Sequence, residues 1–241
     1  QAIGQALGKT HTIVECSRAK GIDILDAEKV TKAMRECTIV IHAAALLDEN
    51  AREEELHRMN VEGTRHVLEA ARANKVKQFI HVSSVGVYGD SPGKKKETHA
   101  FSPLTAYERS KVEGEKVVWE YEKDFSLVIL RPAIVIGPNG FWKQIFRMVQ
   151  KGMPLIGEGK NKWQMIQVDD LAAFVKKCVG NSRAKGVYNV AEDECHSLRG
   201  VVDMIADVEN VKRVGTIPKL VGMGVGYGFL LIQMVTGKKQ L

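Results

Sequence analysis

Cysteine is scarce in this chain: Cys16, Cys37, Cys178 and Cys195 are its four in 241 residues. No two stand in a CxxC pair, which excludes a zinc ribbon and a disulfide framework and reads as reduced thiols in a cytoplasmic protein. His57, His66 and His81 show no ligand spacing, so no metal is expected. No repeat, low-complexity linker or signal-peptide pattern is present. Long apolar runs are also missing. The most apolar stretch, 220–235, is broken by Gly222, Gly224, Gly226, Gly228 and Gln233. It falls short of the roughly 20 apolar residues of a bilayer crossing. It reads as a buried or partner-facing helix, with a membrane-surface contact as the lesser reading. The net charge of +6 is dispersed, with clusters only at Lys94-Lys95-Lys96 and Lys238-Lys239. This predicts no nucleic-acid surface, only a background that tolerates an anionic small molecule.

What is present is a globular composition, 44% apolar and 27% charged, in strand–helix alternation. Residues 11–16 read as a strand, 27–36 as a helix capped by Asp26, and 38–42 as a β-branched strand. A long helix follows at 51–73, then strands at 78–82 and 127–130. Continuously apolar strands of this kind suit a parallel sheet covered on both faces. The expected fold is therefore α/β, a doubly wound parallel sheet. Beyond residue 138 the elements shorten and glycine becomes frequent. That places the core at 1–138 and a smaller substrate lobe, with some returning core elements, at 139–241.

The chemistry concentrates in Tyr107-Glu-Arg-Ser-Lys111. Thr105-x-x-Glu108 is a capping box, so a helix starts at Thr105 and sets Tyr107 and Lys111 on one face. A free tyrosine has a pKa of about 10, too high for a base at neutral pH, and a neighbouring ammonium lowers it. The pair is thus a proton-transfer unit for an alcohol or ketone. Upstream, the strand 78–82 delivers Ser83 and Ser84 at its C-terminal end, the edge where open α/β sheets bind ligands. His42-Ala43-Ala44-Ala45 ends another strand, and its small residues admit a flat ligand or tight packing. Asn60 lies on the following helix, where it serves chemistry or satisfies backbone groups near a strand end.

Together with Val85–Gly89, Arg131-Pro132, Gly137-Pro138 and Val168-Asp169-Asp170-Leu171-Ala172, these segments resemble the extended short-chain dehydrogenase/reductases. That group includes the NAD-dependent epimerase/dehydratases and the 3β-hydroxysteroid dehydrogenases. The resemblance implies a Rossmann fold and hydride transfer involving a nicotinamide cofactor. It makes Tyr107 the acid/base and Ser84 the holder of the substrate oxygen. Lys111 would bind the nicotinamide ribose, and Asn60 would complete a proton relay. It draws Ala43, Ala44, Ala45, Val82, Pro132 and Ala133 to the cofactor, Asp23 and Ile24 to its adenine, and Val85 to the substrate. It also implies a homodimer formed through the Tyr107–Lys111 helix and the helix before it.

The chain departs from that pattern in three ways. The glycine-rich phosphate turn is not in the sequence, where Gly4 and Gly8 do not replace it, and against the family pattern a segment after Arg18 and a tail are expected to be left out. Arg18 falls where NAD-binding relatives place an acid, which leans the cofactor toward NADP over NAD. Ile134 and Trp163 stand where sugar-nucleotide relatives carry Asn and Arg. Losing a bidentate cation and gaining an indole argues for a flat or apolar substrate, although Trp163 and Met165 also suit lobe core. One of Asp169 and Asp170 is expected to cap a helix over 171–179. The leading reading is an NADP- or NAD-dependent oxidoreductase acting on a secondary alcohol or ketone. The alternatives are a nucleotide-sugar epimerase/dehydratase with the same Ser–Tyr–Lys chemistry and a non-catalytic dinucleotide sensor.

Overall fold

The computed structural model describes residues 1–48, 50–90 and 93–221. They divide into two compact units: Gln1–Val135 with Met165–Ala191, and Ile136–Gln164 with Glu192–Leu241.

The first unit is built on a four-stranded sheet in the order β1 (Ile39–His42), β2 (Gln78–Val82), β3 (Ser126–Pro132), β7 (Gly186–Val190). Every neighbouring pair is parallel, for instance Ile80 opposite Val128 and Leu130 opposite Tyr188. Successive side chains alternate faces, and both faces are filled. Phe79, Leu127 and Ile129 pack with Val30 and Met34 beside α2 (Ala27–Ala33), Val67 and Leu68 of α4 (Gly63–Ala73), and Val117 and Val118 of α5 (Ala106–Trp119). Ile80, Val128 and Leu130 pack on the other side with Leu171 and Val175 of α7 (Val168–Cys178) and Ile3 of α1 (Ala2–Leu7). That two-sided burial is why the strands are apolar without alternation. Truncating a fully buried member such as Ile129 to alanine costs about 2–5 kcal/mol.

Three expectations change. Residues 11–16 form no strand, since no neighbouring strand pairs with them, and Ile13 and Val14 stay exposed. The expected helix over 51–73 is three pieces: α3 (Glu53–His57), a π-helical turn (Arg58–Glu62) and α4. Neither Asp169 nor Asp170 caps α7, whose N-cap is Gln167. Both acids lie in its first turn, where they complement the positive end of the helix dipole. The apolar stretch 220–235 lies outside the described residues apart from the exposed Leu220 and Val221. Among the described residues no helix is long and apolar enough to cross a membrane. Asp26 does cap α2, accepting from the Lys29 amide at 3.1 Å.

The second unit holds α6 (Gly140–Gln150) and α8 (Leu198–Val208), the strand pair β5 (Leu155–Ile156)–β9 (Thr216–Ile217), and β8 (Cys195–Ser197) paired with the first three residues of β6 (Lys162–Gln167), whose remainder belongs to the first unit. The β6–β8 pair is antiparallel, with Trp163 opposite His196. The short strand β4 (Ile134–Ile136) follows β3.

Candidate functional site

The site is assembled at the C-terminal ends of β1 and β2 and on one face of α5. The capping box forms as the sequence predicts: Thr105 Oγ1 accepts from the Glu108 amide at 3.1 Å, and Glu108 Oε2 accepts from the Thr105 amide at 3.0 Å. It fixes the register that puts Tyr107, Lys111 and Glu115 on one helical stripe. Lys111 is 4% exposed, and its Nζ donates to the Val82 carbonyl at 2.9 Å. Helix α5 and the end of β2 are thereby joined. Burial pushes the Lys111 ammonium down to about 8, while the Glu115 carboxylate pulls the other way.

Beyond Val82 the chain leaves the sheet through Ser83 and Ser84. The Ser83 hydroxyl is buried and has no hydrogen-bond partner among the described residues. Ser84 caps a short 3-10 turn (Val85–Tyr88), its Oγ accepting from the Gly86 amide at 3.0 Å. That bond uses a lone pair and leaves the Ser84 proton available to a substrate oxygen.

Asn60 lies in the π-helical turn and is 3% exposed. Its Oδ1 accepts from the Leu46 amide at 2.7 Å. Its Nδ2 donates to the Leu46 carbonyl at 3.1 Å and to Ser110 Oγ at 2.9 Å. Ser110 in turn donates to the Tyr107 carbonyl at 2.7 Å. The Asn60 amide is thus engaged in pinning the loop after Ala45 to the helix that carries Tyr107. The alanines on that loop, Ala43, Ala44 and Ala45, are exposed or half-buried beyond β1. Thr64 Oγ1 donates to the Asn60 carbonyl at 2.7 Å, so His42 Nε2, 3.0 Å away, is the donor to Thr64. Burial and the Lys111 charge push the His42 imidazole down to about 3. The His81 ring lies 5.4 Å from it, tilted, and is likewise held well below its usual range, first by burial and then by Lys111 and His42.

The residues expected around adenine fare differently. Arg18 and Asp23 come together, Nε to Oδ2 at 3.0 Å, and Asp23 Oδ1 also accepts from the Leu25 amide at 3.0 Å. Ile24 is 9% exposed and packs in the core, where its side chain fills the space beside Gly63. There its apolar side chain packs against the α4 face. Pro132 and Ala133 are buried, and the Ala133 amide donates to the Val190 carbonyl at 2.9 Å. Val85 and Ile134 are half-buried.

In the second unit, Trp163 stands 6.3 Å from Trp142 and 6.2 Å from Phe141, the Phe141 and Trp142 rings meeting nearly edge-on. Trp142 is buried, whereas Phe141 is 51% exposed. Among the described residues no cluster of His, Cys, Asp or Glu is arranged to hold a metal ion.

No role for Ser110, Thr64, Glu115 or Arg131 is read from the sequence, although Arg131-Pro132 is among the segments that carry the resemblance. The first and third were legible in the stripe Tyr107-x-x-Ser110-Lys111-x-x-x-Glu115. Arg131 was legible as a cation inside an apolar strand, which requires a buried partner.

The NAD-dependent epimerase/dehydratase family model matches residues 5–191. The chain is 31% identical over 227 residues to an N-acetyl-alpha-D-glucosaminyl-diphospho-ditrans,octacis-undecaprenol 4-epimerase of Escherichia coli O157:H7, covering 90% of this chain and 69% of that protein. It is 26% identical over 200 residues to a 4-hydroxy-2-methyl-3-oxo-4-farnesyl-3,4-dihydroquinoline-1-oxide ketoreductase of Stigmatella aurantiaca, covering 79% and 60%. In three dimensions it is similar to a UDP-glucuronic acid 4-epimerase from Bacillus cereus in complex with UDP-glucuronic acid and NAD, with a TM-score of 0.73 at 24% identity over 81% of this chain and 66% of that one. The parallel sheet is thus of the Rossmann type. The chain spans from about half to about two thirds of the length of the curated relatives it matches. With the family model spanning most of the chain and the sheet-edge site in place, this protein belongs to the NAD-dependent epimerase/dehydratase family, enzymes of the extended short-chain dehydrogenase/reductase superfamily.

Proposed function

We propose that the protein exchanges a hydride with a nicotinamide dinucleotide at a secondary alcohol or ketone, with Tyr107 as the acid/base. The observation that carries this reading is the buried Lys111 ammonium, fixed on the Val82 carbonyl one helical turn from Tyr107. A positive charge held there favours the phenolate of Tyr107, the form that accepts a proton. The Ser84 hydroxyl orients the substrate oxygen. Asn60, through Ser110, holds the first turn of α5 in place. Its role is then positional, and the relay implied by the resemblance is not needed to account for its bonds.

The residues present fit the nicotinamide end of a dinucleotide: a buried Lys111 for the ribose and a buried, unpartnered Ser83 hydroxyl at the same strand end. The cofactor supplies or accepts the hydride. For its adenine end the structure favours NAD over the NADP that Arg18 alone implies. The Arg18 guanidinium faces Asp23, and a 2′-phosphate would have to compete with that carboxylate.

For the substrate, we favour an alcohol or ketone with an apolar or flat portion, because Trp163 stands where sugar-nucleotide relatives carry a bidentate Arg. A second reading is epimerisation of a diphosphate-linked sugar, favoured by the 31% identity to the E. coli enzyme, whose name joins such a sugar to a polyprenol. Substrate-dependent consumption of reduced cofactor supports the first reading. Interconversion of sugar epimers with no net change in cofactor supports the second, because an epimerase regenerates its cofactor each turnover.

A further inference from the structure

Directly below Lys111 on α5 lies Glu115, with no exposed surface. Its carboxylate receives Arg131 of β3 in a fork: Nη2 to Oε2 at 2.6 Å and Nε to Oε1 at 2.9 Å. Arg131 is itself 3% exposed and sits between two rings, Tyr88 at 5.1 Å and Phe101 at 5.0 Å. Its remaining nitrogen, Nη1, donates to Tyr88 Oη at 2.5 Å and to the Glu97 carbonyl at 3.1 Å, and Tyr88 Oη donates on to Asn189 Oδ1 at 2.9 Å. Isolated buried ion pairs rarely add net stability, because desolvation of both charges offsets their attraction. A pair this well enclosed therefore calls for another role, and its carboxylate lies one helical turn from the group on which the proposed chemistry depends.

We propose that Glu115 is a positioning residue that keeps the Lys111 ammonium charged inside the fold, and that Arg131 fixes the Glu115 carboxylate in the orientation this requires. The inference deepens the acid/base reading of Tyr107 and Lys111 and rests on it. The groups facing Lys111 are Tyr107 and Glu115 from α5, His42 from β1 and His81 from β2, with Arg131 of β3 beyond the carboxylate. Both histidines are neutral, since burial holds them far below their ordinary range. They can supply no negative charge, which leaves Glu115 as the acid in this set. Without it, burial alone would strip the Lys111 proton near neutral pH, and the phenolate of Tyr107 would lose its counter-charge.

The test is an NMR titration of lysine labelled at 13Cε in the full-length protein, with the Lys111 signal assigned from its loss in Lys111→Arg. Glu115→Gln is expected to move the Lys111 midpoint about half a pH unit or more below the wild-type value. Because that substitution strands the Arg131 cation, it is repeated in the Arg131→Met background, where the amide leaves no unpaired charge. The midpoint is expected to fall there too, relative to Arg131→Met alone. An unchanged midpoint in the natively folded variants overturns the proposal. The titration needs no substrate. A fall therefore supports the electrostatic role even where no turnover is found, and an unchanged midpoint defeats it even where Tyr107→Phe abolishes turnover.

Discussion

Lys111 and His42 are both basic groups buried without a direct carboxylate partner, and each leaves a signature in stability. The folded-state pKa of Lys111 is lowered to about 8. Between about pH 8 and the ordinary lysine value near 10.4 the unfolded chain binds a proton that the folded one does not, so stability rises with pH across that window, by about 3 kcal/mol in all. Lys111→Met removes this term. Chemical denaturation should find the variant more stable than wild type at pH 7, with the gap closing by pH 10. A constant gap would contradict the assignment. The folded-state pKa of His42 is lowered to about 3, so the sign is the same in acid. Stability falls as pH drops below about 6.5, losing about 2 kcal/mol by pH 5 from this group alone. His42→Gln should flatten that acid limb in denaturation curves at pH 7 and pH 5. At this scale the sequence made Tyr107, Lys111 and Ser84 legible, because helical spacing and a strand end are local properties. It could not reveal that Arg18 turns to Asp23, because a side chain's partner depends on what else the fold brings near it.

At the scale of elements, the joint between α5 and the π-helical turn is tight. A Cβ added at Gly114 would lie 2.9 Å from the Asn60 carbonyl oxygen. Backbone cannot yield as a side-chain tip does. Gly114→Ala should therefore cost about 1–3 kcal/mol in a denaturant titration and reduce turnover through displacement of the Asn60–Ser110–Tyr107 chain. A variant with wild-type stability would show that the joint is looser than the structure implies. Gly89 has φ of +61° and would press a Cβ into the Ser102 carbonyl, so Gly89→Ala should be more damaging still, with the loop that Ser102 anchors to Val87 detached. Elements were legible where pattern and punctuation agreed, as at Thr105 and Asp26. The π-helical turn was not, because it keeps helical periodicity in sequence, and the bonds Asn60 makes from it run to Leu46 and Ser110, distant in sequence. The strand expected at 11–16 failed for the complementary reason: β-propensity sets no ladder without a neighbour to pair with.

At the scale of the molecule, a ligand that binds only the folded state raises its melting temperature according to concentration over Kd. NAD should raise it more than NADP at equal concentration, and Asp23→Ala, which frees Arg18, should narrow or reverse that order. An order unmoved by the substitution would separate Arg18 from cofactor choice. The α/β fold was legible from strand–helix alternation, whereas the return of 165–191 to the sheet unit was legible only as a general expectation, since β7 joins β3 across a long stretch of sequence. The central claim is that Tyr107 exchanges the substrate proton while the nicotinamide exchanges the hydride. It is tested most directly by comparing wild type and Tyr107→Phe in the full-length protein. The assay is the change in reduced nicotinamide absorbance across a panel of ketones and secondary alcohols, together with epimer analysis of diphosphate-linked sugars. A fall in turnover of about 10²-fold or more, with native circular dichroism and unchanged cofactor binding, is the predicted result. Equal turnover by the two proteins would contradict it.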